Sequence, residues 1–164
     1  MKNISDHITY YEATRSDIAK RFGISNTPNE KQLSNMEKIA INIFEPLRLG
    51  LGEFAIYISS FFRSLNLNKK IKGAKDSQHL CDNGAALDLD VDGSDKLQNH
   101  QIFNYIKDNL EFDQLIWEFG DDENPDWVHV SFNEGKNRGI ILVSYYEYNK
   151  AKNKNEVKYK TYRP

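Results

Sequence analysis

Two short stretches, Ala85–Val91 and Trp127–Phe132, constrain the fold of this chain most. In the first, Leu87, Leu89 and Val91 alternate with Ala86, Asp88 and Asp90. In the second, Val128, Val130 and Phe132 alternate with Trp127, His129 and Ser131. Successive side chains on a β-strand point to opposite faces, so each stretch reads as a strand with one apolar and one polar face. The apolar faces belong to a core. The faces carrying His129 and Asp88 must then line a polar cleft or an edge.

Around these strands the chain reads as helices first and strands afterwards. Thr14–Phe22 places Ile18, Ala19 and Phe22 on one side, and Gly23 can supply the closing turn. Thr27, Pro28 and Glu30 have the order of an N-cap, a first helical residue and a capping box. Leu33, Met36, Ile39, Ala40, Ile43, Phe44 and Leu47 then follow at helical spacing, the stripe of a helix packed on a core. Phe54–Ile58 reads as a buried strand, and Ser64–Lys72 as a short polar helix or loop. Asp95–Leu110 reads as a helix, with Asp95 and Gln98 as a capping pair. Leu115–Phe119 and Ile140–Tyr148 complete the strands. The Lys/Asn-rich tail from about residue 149 reads as solvated chain, with one edge strand at Val157–Tyr162. The pattern predicts one α+β domain over residues 1–164 with a mainly antiparallel sheet.

Composition excludes some classes of function. A net charge of −2 gives no electrostatic footprint for nucleic acid. Cys81 is the only cysteine, so no intrachain disulfide is possible. The N-terminus lacks the apolar run of a secretory signal, and the most apolar stretch, Leu47–Phe62, contains Arg48 and Glu53 and is too short for a membrane span. The expectation is a monomer made in a cytoplasm.

The chemistry concentrates in Ser77–Asp90 and Asp126–Ser131. His79 and His129, with one carboxylate from the face that Asp88 and Asp90 share, are the residue types of a three-ligand zinc set with its fourth position open, and that open position separates a catalytic zinc site from a structural one.

The order S-x-H (Ser77, His79), G-x-A-x-D (Gly84, Ala86, Asp88) and W-x-H (Trp127, His129) resembles the zinc D-alanyl-D-alanine carboxypeptidase family. That family includes phage L-alanyl-D-glutamate endolysins and shares its core fold with the hedgehog signalling domain. The likeness extends to Glu12–Asn29, Glu45–Arg48, Phe62–Ser64, Asn68 and Phe112–Ile116, and so to most of the chain up to about Tyr148. It implies a zinc peptidase acting on peptidoglycan stem peptides, by D,D-carboxypeptidase or endopeptidase action. It also fits a phage or prophage lysis protein that reaches the wall after release. One departure stands out. The family usually has two residues between the histidine and the glycine, and here there are four, Leu80–Asn83. The glycine–alanine–aspartate spacing selects Asp88 as the carboxylate ligand, with Asp82 and Asp90 as substitutes. Cys81 reads as a buried thiol rather than a ligand.

The resemblance further implies that Asp126, three residues before His129, moves the proton in catalysis. Glu118 is the alternative base, or a group that orients a ligand histidine. Arg63 stands where the family has an arginine for a substrate carboxylate or an oxyanion. Ser77 either binds substrate or caps its turn. Two other readings compete. One is a zinc-containing wall-binding or virion protein without activity. The other is a calcium module, because Asp88-Leu89-Asp90-Val91-Asp92-Gly93 opens like a calcium loop. The twelfth position of such a loop needs a glutamate and holds Asn99 instead.

Overall fold

The computed structural model describes residues 3–91, 93 and 95–163. Six strands form one sheet in the order β1-β2-β4-β3-β5-β6: β1 (Tyr57–Ser60), β2 (Ala85–Asp90), β3 (Gln114–Glu118), β4 (Trp127–Phe132), β5 (Ile140–Asn149) and β6 (Lys154–Thr161). All neighbours are antiparallel except β3 and β5, which run parallel. The fold is α+β and mainly antiparallel, as the pattern predicts. Helices α1 (Tyr10–Thr14), α2 (Asp17–Phe22), α3 (Glu30–Ile39), α4 (Glu45–Gly50), α5 (Leu65–Lys70) and α6 (Asn99–Asn109) complete it.

The helices cover one face of the sheet. Leu87, Leu89, Leu115, Val128 and Val130 are fully buried there with Met36, Ile43, Phe103 and Ile106. Burying such side chains stabilises a fold by roughly 1.5–3 kcal/mol each. The alternation in β2 and β4 therefore sends its polar members to the opposite face, which the helical layer leaves uncovered.

Local signals misplaced several boundaries. Ser16 caps α2, so the expected Thr14–Phe22 helix is shortened to Asp17–Phe22, and α1 is a separate helix ahead of it. Gly23 does end α2, with φ of 61°. The capping box of α3 is Asn29 with Gln32, not Thr27 with Glu30. Each of these side chains accepts from the other's backbone N–H, and this satisfies two free donors at once. In the same way Gln98 and Gln101 replace Asp95 and Gln98 at the start of α6. Between α3 and α4, Ala40–Phe44 forms a π-helical turn. Pro46 follows, lacking an N–H and unable to fit a regular α-turn behind it, which accounts for the wider turn. The first strand runs Tyr57–Ser60 rather than 54–58. The expected edge strand is present but begins earlier, at Lys154 rather than Val157, and Lys154–Thr161 pairs with β5 along its whole length.

The four residues between His79 and Gly84 are absorbed by two left-handed positions. Cys81 has φ of 58° and Gly84 φ of 92°. A Cβ on Gly84 would lie 2.5 Å from the backbone oxygen of Phe132, closer than real contacts allow. Gly84→Ala is therefore expected to lower stability by roughly 2 kcal/mol or more, from strain at positive φ plus overpacking. Urea unfolding of the two proteins measures this. Equal midpoints would mean that the turn relaxes freely.

Candidate metal centre

His79 lies in a short 3-10 turn, Gln78–Leu80, and its position is held from both sides by one segment. The Arg63 backbone N–H donates to the His79 carbonyl at 2.8 Å, and the His79 ring Nδ1 lies 2.7 Å from the Phe61 carbonyl. Asn26 pins that segment in turn, donating to the Phe62 carbonyl and accepting from the Ser64 N–H. A carbonyl can only accept, so Nδ1 of His79 carries the proton and Nε2 keeps its lone pair.

Asp88 and His129 come from neighbouring strands and face each other in register. The carboxylate of Asp88 lies 2.8 Å from Nδ1 of His129 and 3.2 Å from Nε2 of His79. Its other oxygen accepts from Arg63 Nη2 at 2.9 Å. The ligand atoms of His79, Asp88 and His129 all lie within 4.8 Å of one another, the one such group among the described residues. Burial lowers the pKa of His79, outweighing the opposing pull of Asp88, and keeps the ring neutral. The lone pair of His79 Nε2 thus faces a carboxylate oxygen, two electron-pair donors in contact. A bound cation resolves that conflict, and two imidazoles with a carboxylate suit zinc, so the residues fit the metal. The Phe61 carbonyl on the far nitrogen is the outer contact that ligand histidines usually have.

These groups line a cleft of about 540 Å³, within the size range of ligand sites. Arg63, Ser77, His79, Asp88, Glu118 and His129 all border it. Ser77 makes no capping bond from its side chain, although it starts the 3-10 turn. Asp126 is placed differently. It is exposed, precedes β4 by one residue and is not among the cleft-lining residues. Its backbone N–H donates to the Glu118 carbonyl, closing the β3–β4 ladder.

Glu118 shares the cleft face instead. Ile116 is the register partner of His129, and Glu118 is one step along, opposite Trp127. Only 7% of Glu118 is exposed. Burial raises its pKa, partly offset by a hydrogen bond from Ser144 and by the charge of His129, while Asp88 adds to the rise. Ser144 was not legible as a site residue. Its one sequence signal is the parity it shares with Leu142 and Tyr146 on β5.

The remaining candidates are engaged elsewhere. Asp82 is exposed and accepts from Gln32, and Asp90 accepts from Asn99. Cys81 is buried outside the cluster, and burial pushes its thiol up to about 12, so no thiolate is on offer. In the calcium-like stretch, Asp88 belongs to the histidine cluster and the side-chain Oδ1 of Asn99 accepts from the Val91 N–H. Asp92 lies outside the described residues. The stretch is flanked by a strand and a helix rather than by two helices. No helix among the described residues is long and apolar enough to cross a membrane.

No curated protein matches the chain. The family model described as peptidase M15 matches residues 6–131. That span runs from before α1 to within β4 and contains Arg63, Ser77, His79, Asp88, Glu118 and His129. With His79, Asp88 and His129 gathered in one cleft and this match over most of its length, the chain belongs to the M15 family of metallopeptidases.

Proposed function

We propose that this protein is a zinc-dependent peptidase that hydrolyses the stem peptides of bacterial peptidoglycan, as a D,D-carboxypeptidase or an L-alanyl-D-glutamate-type endopeptidase. The observation that carries the reading is the neutral His79 lone pair facing Asp88 beside His129, in a cleft that Glu118 also borders. Membership of the M15 family supports it.

His79, Asp88 and His129 would hold the zinc ion, which when bound supplies a Lewis acid that polarises a carbonyl and eases deprotonation of water. The protein's own groups do the rest. Glu118 accepts the proton of the attacking water at its free carboxylate oxygen, while the Ser144 hydroxyl occupies the other. It then returns that proton to the leaving amine. A raised pKa suits both steps, because the group has to be a base and then an acid near neutral pH. Asp126, the base implied by family resemblance, is the competing choice for this role, and the cleft geometry favours Glu118. Arg63 holds Asp88 in place, and Nε donates to Ser60. These bonds use two of five guanidinium N–H donors, and the others can meet substrate charge. Ser77 can bond a peptide carboxylate at the cleft rim.

Three outcomes are expected. His129→Ala protein should lose its zinc on dialysis, with elemental analysis giving about one ion per wild-type chain and almost none in the variant. Zinc retained at wild-type level would remove His129 from the ligand set. Glu118→Gln should lower kcat by roughly 10²-fold or more while zinc stays bound, and Asp126→Asn should change it only a few-fold. The reverse ranking would transfer the base role to Asp126. Ser144→Ala removes a hydrogen bond that favours ionised Glu118, so the Glu118 pKa rises and the acidic limb of the kcat/KM profile should move to higher pH. Digestion of defined muropeptides, read by mass spectrometry of the fragments, tests the activity itself. Intact peptidoglycan and intact stem peptides after zinc reconstitution would defeat the reading.

A further inference from the structure

Strands β5 and β6 lie beyond the stretch matched by the family model, which stops at residue 131. They nonetheless complete the cleft. Leu142 of β5 and Val157 and Tyr159 of β6 line it together with the metal cluster. β3 pairs with β5 only as far as Ser144, so both strands continue as a two-stranded ribbon past the end of the sheet. In that ribbon Ser144 pairs with Tyr159 and Tyr146 with Val157. Directly opposed residues share a face. The cleft face of the sheet thus runs without a break from Trp127 through Glu118 and Ser144 to Tyr159.

The ribbon is anchored at both ends of this wall. Phe119 stacks on Tyr146 with ring centres 4.4 Å apart and packs on Trp127 at 5.3 Å. Tyr162 packs against Phe103 of the core at 5.0 Å. The Phe119 N–H donates to the same Ser144 oxygen that donates to Glu118. Tyr159 itself is 54% exposed, and its hydroxyl has no hydrogen-bond partner among the described residues. Burial of its inner part raises its pKa and the charges of Glu118 and Asp88 add to this, so it remains a donor and lies within their field.

We propose that the β5–β6 ribbon is a binding wall for an extended peptide, and that Tyr159 is a specificity-determining residue whose phenol donates a hydrogen bond to a peptide carbonyl distant from the cut bond. This rests on the peptidase reading. β6 is three strand spacings from β4, about 14 Å, and an extended peptide advances about 3.3 Å per residue. A ligand spanning from His129 to the ribbon therefore has several residues on one side of the scissile bond, and a dipeptide falls short. The site selects peptides by length.

The test compares a five-residue wall stem peptide with D-alanyl-D-alanine alone, on zinc-loaded protein. In Tyr159→Phe, KM for the long peptide should rise roughly fivefold, the loss of one hydrogen bond, with the change falling on KM rather than kcat. Affinity is read separately by tryptophan fluorescence, since Trp127 lines the cleft, on Glu118→Gln protein with and without the Tyr159 change. The long peptide should bind more tightly than the dipeptide, and Tyr159→Phe should remove much of that difference. An unchanged KM together with unchanged affinity for the long peptide overturns the proposal, as does an equal loss for both peptides. A protein that cuts neither peptide, yet loses affinity for the long one in Tyr159→Phe, defeats the peptidase reading and keeps the binding wall. Absence of binding and cutting in the wild type defeats both.

Discussion

Asp88 is a carboxylate buried on a central strand and ringed by nitrogen donors from three parts of the chain: His79 from a turn, His129 from β4 and Arg63 from the segment after β1. An ionised carboxylate with so little solvent persists only where its charge is met. Arg63 meets part of it. The rest faces His79, whose proton points away to the Phe61 carbonyl, and His129. Each surrounding element is arranged around that requirement. The Phe61–Arg63 segment grips His79 by its ring and its backbone, and Asn26 holds the segment. The apolar side of β2 and β4 is committed to the helices, which leaves this one face for charged groups.

The cleft divides its labour by strand. β2 and β4 supply Asp88 and His129, which meet His79 from its turn. β3 supplies Glu118, and β5 tunes it through Ser144. The edge beyond β1 supplies Arg63, and the opposite edge supplies the aromatic ribbon with Tyr159. Along the sheet the cleft thus presents Arg63, the His79–Asp88–His129 group, Glu118 and the aromatic ribbon in order. Each group sits on or beside a hydrogen-bonded ladder, and such placement holds reacting groups more closely than a free loop does.

A third buried carboxylate, after Asp88 and Glu118, supports the same region. Asp113 accepts from Arg138 at 2.7 and 2.6 Å and from Gln78 at 2.8 Å. Those hydrogen bonds from Arg138, with Gln78 assisting against burial, hold its pKa below the usual range. Gln78 neighbours His79, so Asp113 links the turn carrying a ligand to the start of β3.

Alternation by itself determined which faces of β2 and β4 carry Asp88 and His129, because the pleat leaves no other choice once the valines and leucines are buried. The resemblance in the glycine–alanine–aspartate pattern pointed to Asp88 before Asp82 and Asp90, and Asp88 is the carboxylate that lies with His79 and His129. Helix ends were less legible: Thr27 and Asn29 are both good caps, and the reciprocal bond between Asn29 and Gln32 decides between them. The sequence pointed to an edge strand at Val157–Tyr162, but the Lys/Asn-rich start of β6 has little apolar alternation, and Lys154–Glu156 join the strand through pairing with β5. That Glu118 shares the cleft face with His129 needed the β3–β4 register, a fact about two strands that no single stretch contains. Local sequence sets the direction of a side chain within its own strand. Only tertiary pairing sets which strand lies beside it, and for this protein that pairing places Glu118 and Tyr159 on the same cleft face as His129.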